Sequence, residues 1–591
     1  MHITGSLASD EQHATDTDTD TDHQAVSTQQ RIGLVDRRSV QTTARRISAL
    51  ALVCIVGLLC LPPVYYVIDA ALSEGGAGFG QMLEDRALGR TVQNTITLAL
   101  GSVVISTVLG IVLAWGAQGL NRRNRWLGYI PLIPLVMPAL AAVTGFGYLL
   151  NPTIGFGNIL LRKVMFWSDS QTGPFDINTV PFILIVTATL LTSFVYLFVR
   201  STLSQLDQGV YDAAAASGAS PTRAFFLVIL PLLRPAIVYS SLTVMLLALG
   251  QFAVPLFLGR QQNLNVLSTA MYISMSSAPP NIPLAAAYGL PIIVTGIAFL
   301  AIQRIVLRDQ DRFASTGTKG AARALNKSGW FSHAALVAYG LFAVAAPILC
   351  VAVVAFQPYW SKDIVISEFT LENFRAVFAN PRLTDAIGNT AVYSLTATAV
   401  AVPVGYLCAK ILYARRQQKV IANIIDVLVS MSLGIPAVIF GVGFLLAYTH
   451  GPLNLYGRGA GLVIVYLVVT LPFITRMVLV SLVNLGSNLV DAGAACGGPL
   501  WRRILTLELP MLRPTLGNVT ALCLILTAQE FGASILVRST RTQVMSTVLY
   551  DQFANGSNSQ VAVMAFLMCA ITGISVLLAL AIGRPSTPKE N

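Results

Sequence analysis

The chain has 591 residues, of which 54% are hydrophobic and only 11% are charged. Charged residues make up roughly a quarter of an ordinary soluble domain, so this composition excludes a soluble globular protein. The net charge of +11 is compatible with a nucleic-acid-binding protein, but the distribution of the basic residues, described below, argues against one. The composition instead predicts a protein that lies in a lipid bilayer.

The apolar runs are long enough to cross a bilayer, which takes about 20 residues in a helix. They lack the alternation of a membrane β-barrel, and a helix satisfies its own backbone hydrogen bonds in lipid. We therefore predict an all-α membrane protein with about twelve transmembrane helices. In chain order the predicted spans cover residues 46–68, 91–116, 127–150, 180–202, 235–258, 284–306, 333–356, 387–411, 422–447, 460–482, 515–537 and 561–583.

Polar segments divide the chain into two six-span units, residues 46–306 and 333–583. Residues 1–45 contain a strict Thr-Asp repeat from Thr15 to Asp22, and such a polar tract predicts a disordered tail. The charged stretch 307–332 is interpreted as a linker between the units. Residues 584–591 form a second tail.

An internal repeat indicates that the two units are copies of one fold. Residues 211–235 read YDAAAASGASPTRAFFLVILPLLRP, and residues 490–514 read VDAGAACGGPLWRRILTLELPMLRP. One constant shift, without a gap, superimposes Asp212 on Asp491, Gly218 on Gly497, Arg223 on Arg502 and Pro231 on Pro510.

The repeat extends into the spans. The matching pairs are Asn94-Thr95 with Asn389-Thr390, Pro138 and Gly145 with Pro436 and Gly443, and Gln251-Phe252 with Glu530-Phe531. Because each unit has an even number of spans, both keep the same orientation in the membrane. The units are therefore parallel repeats, related by an axis along the membrane normal.

The basic residues predict the orientation. With the N-terminus inside, most of the 38 Lys and Arg residues fall on cytoplasmic segments, as the positive-inside rule requires. This bias explains the net charge without nucleic acid. It places both termini and both repeated segments in the cytoplasm. Arg476, near the inner end of span 10, is expected to extend to the membrane surface.

The first repeated segment has the pattern of a helix, a turn and a second helix. The stretch that begins with Asp212-Ala213-Ala214 has a high helix propensity. It carries an acid near its start, where the helix dipole favours negative charge. Gly218 is suited to the left-handed conformation that ends a helix. Ser220 and Pro221 then predict a new helix start. In the second copy Gly493 replaces an alanine, which costs about 1 kcal/mol of helix stability.

These segments resemble the EAA loop of ATP-binding-cassette (ABC) importer permeases, whose pattern is acid-Ala-Ala, three residues, Gly, then an aliphatic-x-Leu-Pro. The fused arrangement is similar to ferric-iron transport permeases, and thiamine and 2-aminoethylphosphonate permeases are similar. The ferric branch is indicated by GQFAVPLFLG at 250–259, VLSTAMY at 266–272 and LENFRAVFANP at 371–381.

The resemblance implies an importer whose loops transmit ATP-driven closure of separate ATP-binding subunits, one under each loop. It also implies a solute-binding protein outside the cell membrane. The residues that would couple the chain to the ATPase are Asp212, Ala213, Ala214, Gly218, Arg223, Pro231, Asp491, Ala492, Gly493, Gly497, Arg502 and Pro510. The dipeptide Gly-Lys of a phosphate-binding loop does not occur. We therefore expect no cofactor on this chain, with ATP and Mg held by the partner, and no enzymatic activity.

Glu530 is the candidate for the translocation path, because an intramembrane carboxylate usually faces the bundle interior. Gln251, Phe252, Gln529 and Phe531 are assigned to the path with it. Glu530 could contact the solute, gate the path or only fix helix packing. A carboxylate there suits a cationic solute such as iron better than an anion. The scattered His and Cys residues predict no metal site.

An ion-coupled secondary transporter is the alternative from another class. It would also have twelve helices in two repeats, but it predicts charges within several spans and no paired EAA segments.

Overall fold

The structure is a computed structural model, which describes residues 17–165, 172–204, 206, 208–307, 330–415, 418–449, 454–485, 493, 495 and 499–582. The helices of the first unit are α1 (Thr17–Glu84), α2 (Leu88–Gln118), α3 (Ile133–Val136), α4 (Ala139–Leu150), α5 (Phe156–Val164), α6 (Val180–Leu203), α7 (Gln208–Ala216), α8 (Pro221–Ala224), α9 (Leu230–Leu232), α10 (Arg234–Leu249), α11 (Ala253–Leu258), α12 (Leu267–Ser276) and α13 (Ile282–Leu307).

The helices of the second unit are α14 (Trp330–Gly340), α15 (Ala346–Phe356), α16 (Glu372–Ala379), α17 (Pro381–Tyr413), α18 (Lys419–Gly434), α19 (Ala437–Thr449), α20 (Gly459–Leu485), α21 (Leu500–Arg503), α22 (Leu509–Ala528), α23 (Ser534–Val537), α24 (Met545–Asn555) and α25 (Asn558–Ile582). Within the described residues every regular element is helical, which confirms the predicted fold class.

The described residues hold up to twelve candidate membrane spans when each bent pair of helices is counted as one. The described part contains nine continuous helices that are long and apolar enough to cross a bilayer, and three bent pairs that pass the test together. These twelve segments overlap the twelve predicted spans, but those of spans 5 and 11 begin and end earlier in the chain than predicted. The connections that hold the repeated segments share one end of the bundle, called here the loop side.

The first helix differs from expectation at its start. It begins at Thr17, so residues 17–45, predicted to be disordered, are helical, and residues 1–16 lie outside the described residues. Between Thr17 and Arg46 there is no proline and a single glycine, so little in the sequence ends a helix that continues into the first span. Of the predicted linker, residues 308–329 also lie outside the described part.

Spans 3 and 9 are sharply bent at equivalent prolines. The helix pairs that meet there form angles of 103° and 110°. Met137 and Ile435, the residues before Pro138 and Pro436, have extended backbone. Proline disfavours helical backbone in the residue that precedes it, so each bend is encoded locally.

The structure corrects the prediction for spans 5 and 11, which are interrupted. Both were expected to be continuous, over 235–258 and 515–537, but α10 ends at Leu249 and α22 at Ala528. Short helices, α11 and α23, follow each break. At the break, Ser268 Oγ donates to the carbonyl of Gln251 (2.6 Å) and Ser546 Oγ donates to that of Glu530 (2.7 Å). The serine hydroxyls thus donate hydrogen bonds to carbonyls that would accept from backbone N–H groups if the helix were continuous.

The two units pack against each other through their bent spans. Gly145 of span 3 lies directly against the Pro347 carbonyl of span 7, and Gly443 of span 9 lies against that of Pro63 in span 1. A methyl group on either glycine would overlap the facing backbone. Each unit's third span therefore packs on the first span of the other, at a distance that only glycine permits.

Gly145→Ala should destabilise the protein by about 1–3 kcal/mol, the usual cost of overpacking, because the facing carbonyl belongs to a rigid backbone. Gly147→Ala, two residues along α4, is the matched control, since a methyl there meets nothing within 4 Å. Thermal unfolding in detergent measures the difference. Equal unfolding temperatures for the two variants would contradict the close approach.

Candidate functional site

The first repeated segment has the local structure that its sequence predicts. Gly218 follows α7 with a φ of +74°, in the left-handed region. The N–H of Ser217 donates to the carbonyl of Ala213 (3.0 Å), and that of Ala219 donates to Ala214 (3.2 Å). Ser220 Oγ accepts a hydrogen bond from the N–H of Arg223 (3.3 Å), so it caps α8.

The surface of this segment is open to a partner. Asp212, Ala213, Gly218 and Arg223 are exposed, whereas Ala214 is buried. Between α7 and the following helix lies a concavity of about 590 Å³. Its lining includes Val210, Ala213, Ala214, Gly218, Arg223 and Leu227. The half-buried Pro231 lies beyond it, in α9.

The second copy is described in part. Asp491, Ala492 and Gly497 lie outside the described residues, and Arg502 and Pro510 are exposed. A methyl group on Gly493 would come within 2.8 Å of Leu507 Cδ1. Glycine at this position therefore makes room for a neighbouring side chain, a packing role that its helix propensity does not reveal.

Both segments continue into a five-residue π-helical turn, Phe225–Ile229 and Ile504–Glu508. The two turns are related by the shift that superimposes the repeated segments. Single π turns within helices occur frequently at functional sites. This shared irregularity was not predicted from the sequence.

The second π turn holds a buried ion pair that the sequence analysis missed. Glu508, 2% exposed, accepts from Lys410 Nζ (2.6 Å) and from the hydroxyl of Tyr406 (2.8 Å). The shift places Ile229 at the equivalent position of the first unit. The sequence did offer a signal for this ion pair, because one copy has an acid where the other has isoleucine.

A second ionic cluster joins the two units on the loop side. Asp426 pairs with Arg476 (2.6 Å) and with Arg304 (3.3 Å), and both arginines also donate to Ser430 Oγ. Arg304 belongs to span 6, whereas the other residues lie in spans 9 and 10. Arg476 was expected to reach the membrane surface; its side chain is 43% exposed, and it also holds span 10 to span 9.

The repeated Asn-Thr pairs organise the segment after each broken span. Asn94 Nδ2 donates to the carbonyl of Asn265 (3.1 Å), and the N–H of Leu267 donates to Thr95 Oγ1 (3.0 Å). In the second unit Asn389 Nδ2 donates to Gln543 (2.9 Å), and the N–H of Met545 donates to Thr390 Oγ1 (2.8 Å). The pairs thus fix the starts of α12 and α24.

Glu530 uses its carboxylate within its own segment. Its oxygens accept from the N–H of Ala533 (2.9 Å) and from the N–H and Oγ of Ser534 (3.0 and 2.5 Å). The side chain therefore caps the start of α23, and the residue is only 9% exposed. Gln251, its repeat mate, is half-buried, and the buried Oε1 of Gln529 has no described partner.

Aromatic rings close the interface between the units at the two breaks. Phe252 and Phe531, each 4% exposed, stack with centroids 5.4 Å apart and an interplanar angle of 20°. This aromatic barrier is completed by Phe257, Tyr272, Tyr550 and Phe553. Two of the predicted path residues, one from each unit, therefore meet.

A cavity of about 280 Å³ adjoins the barrier on the side away from the repeated segments. Phe257 and Phe553 of the barrier line it, with Arg260 at its edge. Burial raises the pKa of the Tyr550 hydroxyl to about 12, and the nearby charge of Arg260 opposes that rise. Among the described residues, no group of three or more His, Cys, Asp or Glu could hold a metal ion.

The fold and these sites define a multi-pass α-helical membrane protein built from two parallel repeats around a closed central interface. Residues 108–312 and 401–584 match the family described as binding-protein-dependent transport system inner membrane component. Because the two matches cover more than half of the chain, the protein belongs to this family, as the resemblance implied.

Curated relatives agree with the family. A putative ferric transport system permease of Haemophilus influenzae is 22% identical over 84% of this chain and 78% of its own length. The ferric transport system permease of Actinobacillus pleuropneumoniae is 21% identical over 85% and 72%. A probable ABC transporter permease of Sinorhizobium fredii is 22% identical over 90% and 95%.

Replacing both stacked rings, Phe252→Ala with Phe531→Ala, should open the barrier. We expect trapped carboxyfluorescein to leave proteoliposomes faster than with the wild-type chain, without ATP. Phe378→Ala is the control, since this phenylalanine is 54% exposed and outside the barrier. Unchanged efflux from a double variant that still elutes as a single species would show that these rings do not close the path.

Glu530→Gln should lower stability by about 1–3 kcal/mol, because an amide offers one acceptor oxygen and leaves a buried donor unsatisfied. The same change should alter transport, since the cap sits beside Phe531. Glu372→Gln, at an exposed acid, is the control. Thermal unfolding and solute uptake are measured together; wild-type values for both would contradict the capping role.

Proposed function

We propose that this chain is the membrane-spanning subunit of an ATP-driven importer that carries ferric iron. In this proposal the loop side is cytoplasmic, as are both termini. A separate ATP-binding subunit, which holds ATP and Mg, docks under each repeated segment. A binding protein delivers the solute at the opposite side, and this chain hydrolyses no nucleotide itself.

The geometry of the first repeated segment carries the coupling proposal. Its exposed residues surround a concavity, so a partner has a shaped surface to contact. The π turn that follows leads through α9 into α10, which is bent by 67° from the preceding helix. α10 ends at Leu249, just before Phe252 of the aromatic barrier. Movement of the segment by a partner can therefore reach Phe252 through two consecutive helices of span 5.

In the second unit a buried ion pair strengthens the connection between the repeated segment and the aromatic barrier. Glu508 and Lys410 join the π turn to span 8. Removing one partner of a buried pair leaves an uncompensated charge and is strongly destabilising. Span 8 also carries Asn389 and Thr390, which fix the segment beyond the barrier. The pair thus connects the ATPase side to the same region by a second helix.

The names of the ferric transport permeases among the relatives support the choice of solute. Thiamine and 2-aminoethylphosphonate importers of the same mechanism remain the alternatives. An ion-coupled secondary transporter is disfavoured, because the carboxylates of Asp426, Glu508 and Glu530 are each bound by partners. Such a transporter needs carboxylates that bind and release the coupling ion.

Uptake of radiolabelled ferric iron in cells with and without this gene tests the proposal, with labelled thiamine and 2-aminoethylphosphonate in parallel. Loss of iron uptake alone supports the ferric importer. Loss of another solute keeps the mechanism and replaces the solute. Uptake that survives ATP depletion but collapses with the ion gradient would overturn the ATP-driven mechanism.

Gly218→Val should reduce coupling, because a β-branched residue in the left-handed region costs about 1–2 kcal/mol and would rearrange the turn. Gly218→Asn is the matched control, since asparagine tolerates this conformation. Solute-stimulated ATP hydrolysis by the reconstituted complex is the measurement. The valine variant should lose most of the stimulation and the asparagine variant should keep it; equal loss in both would mean that side-chain size, not backbone conformation, matters.

A further inference from the structure

The cavity beside the aromatic barrier is lined by neutral polar side chains and one arginine, and by no acid. Its polar lining consists of Thr144, Asn151, Asn178, Arg260, Trp360 and Asn558, besides Tyr148, whose hydroxyl donates to the Asn558 carbonyl. The indole N–H of Trp360 is buried and has no described hydrogen-bond partner. Asn151 Oδ1 accepts from the N–H groups of Thr153 and Ile154, and its Nδ2 donates in none of the hydrogen bonds found among the described residues.

The internal repeat explains why Arg260 is available. Arg260 and Arg538 stand at the same distance before the valines, Val266 and Val544, that precede α12 and α24. Arg538 makes two hydrogen bonds to Asp551, of 2.7 and 2.8 Å. The position in α12 that corresponds to Asp551 holds Ile273, which has no charge.

Of these two equivalent arginines, Arg260 is therefore the one without an acidic partner. It takes part in none of the ion pairs found within the described residues, and it is exposed at the edge of the cavity. A guanidinium binds carboxylate and phosphate oxygens with several donors at once.

We propose that this cavity is a binding subsite for an anionic solute that presents carboxylate or phosphate oxygens. Arg260 supplies the charge, and the side-chain N–H groups of Asn151 supply further donors. The subsite lies on the side of the barrier at which the binding protein is proposed to deliver the solute, so a solute would occupy it before the barrier opens.

This inference deepens the proposed function and rests on it for the direction of transport. A bare ferric ion finds no carboxylate, thiolate or imidazole on the cavity wall. Iron bound by an organic acid or phosphate presents the oxygens that the cavity can bind. Ferric iron would therefore pass this point as an anionic chelate, contrary to the cationic solute expected from the charge of Glu530.

Equilibrium binding of labelled citrate, ferric citrate and inorganic phosphate to the full chain in lipid nanodiscs, without ATP, tests the subsite. Arg260→Gln should weaken binding by about tenfold or more, the usual worth of a charge-assisted hydrogen bond. Arg260→Lys should lose less. Ile273→Asp supplies the missing carboxylate and should weaken binding as Arg260→Gln does, without altering a residue that lines the cavity. Arg541→Gln, at an exposed arginine outside the cavity, should bind as wild type.

Saturable binding of citrate or phosphate that depends on Arg260 supports the subsite, and the probe that binds identifies the carboxylate or phosphate source. Saturable binding of none of the three, or equal binding by wild type and Arg260→Gln, would overturn it. Because the assay needs neither ATP nor transport, it separates the two proposals. Arg260-dependent citrate binding without iron uptake by cells would reject the ferric importer and keep the subsite.

Discussion

The structure depends on how the hydrogen bonds of the backbone are formed where spans 5 and 11 break. In a bilayer, a polar backbone group freed from a helix must find a partner within the protein. Here serine hydroxyls bond the carbonyls at each break, and an Asn-Thr pair from a neighbouring span fixes the start of the next helix. Glu530 adds a cap in the second unit. These bonds permit two interrupted helices to meet at the centre of the protein.

The breaks in turn position the aromatic barrier. Phe252 and Phe531 each follow a broken helix, so their rings point across the interface and stack. The glycine contacts between bent spans and the first spans of the opposite unit bring the units close enough for this contact. The barrier therefore results from backbone irregularities that are repeated in both units.

Two differences between the repeats lie at places where the proposed function brings the units into contact with other molecules. The second unit replaces apolar residues with charged ones at Glu508, which pairs with Lys410, and at Asp551, which pairs with Arg538. The first unit has isoleucine at both places. One substitution reinforces the loop side, and the other leaves Arg260 without a partner beside the cavity.

Sequence alone predicted the span positions other than those of spans 5 and 11, the two units and the parallel repeat, because each depends on apolar run length or on direct comparison of the two copies. It also predicted the turn at Gly218 and the capping by Ser220, since these conformations are set within a few residues. The importer family followed from the same repeated segment.

Only the tertiary structure decided what the central residues do. Glu530 reads as a charge in an apolar helix, but its partners lie in a short helix that exists only because the span breaks. The stacking of Phe252 on Phe531 joins residues far apart in the chain, and the exposed charge of Arg260 depends on an acid that is present in one unit and absent in the other. Local patterns determine helices, turns and the proline bends of spans 3 and 9. Contacts between distant residues determine how the breaks in spans 5 and 11 are stabilised and which side chains remain free to bind.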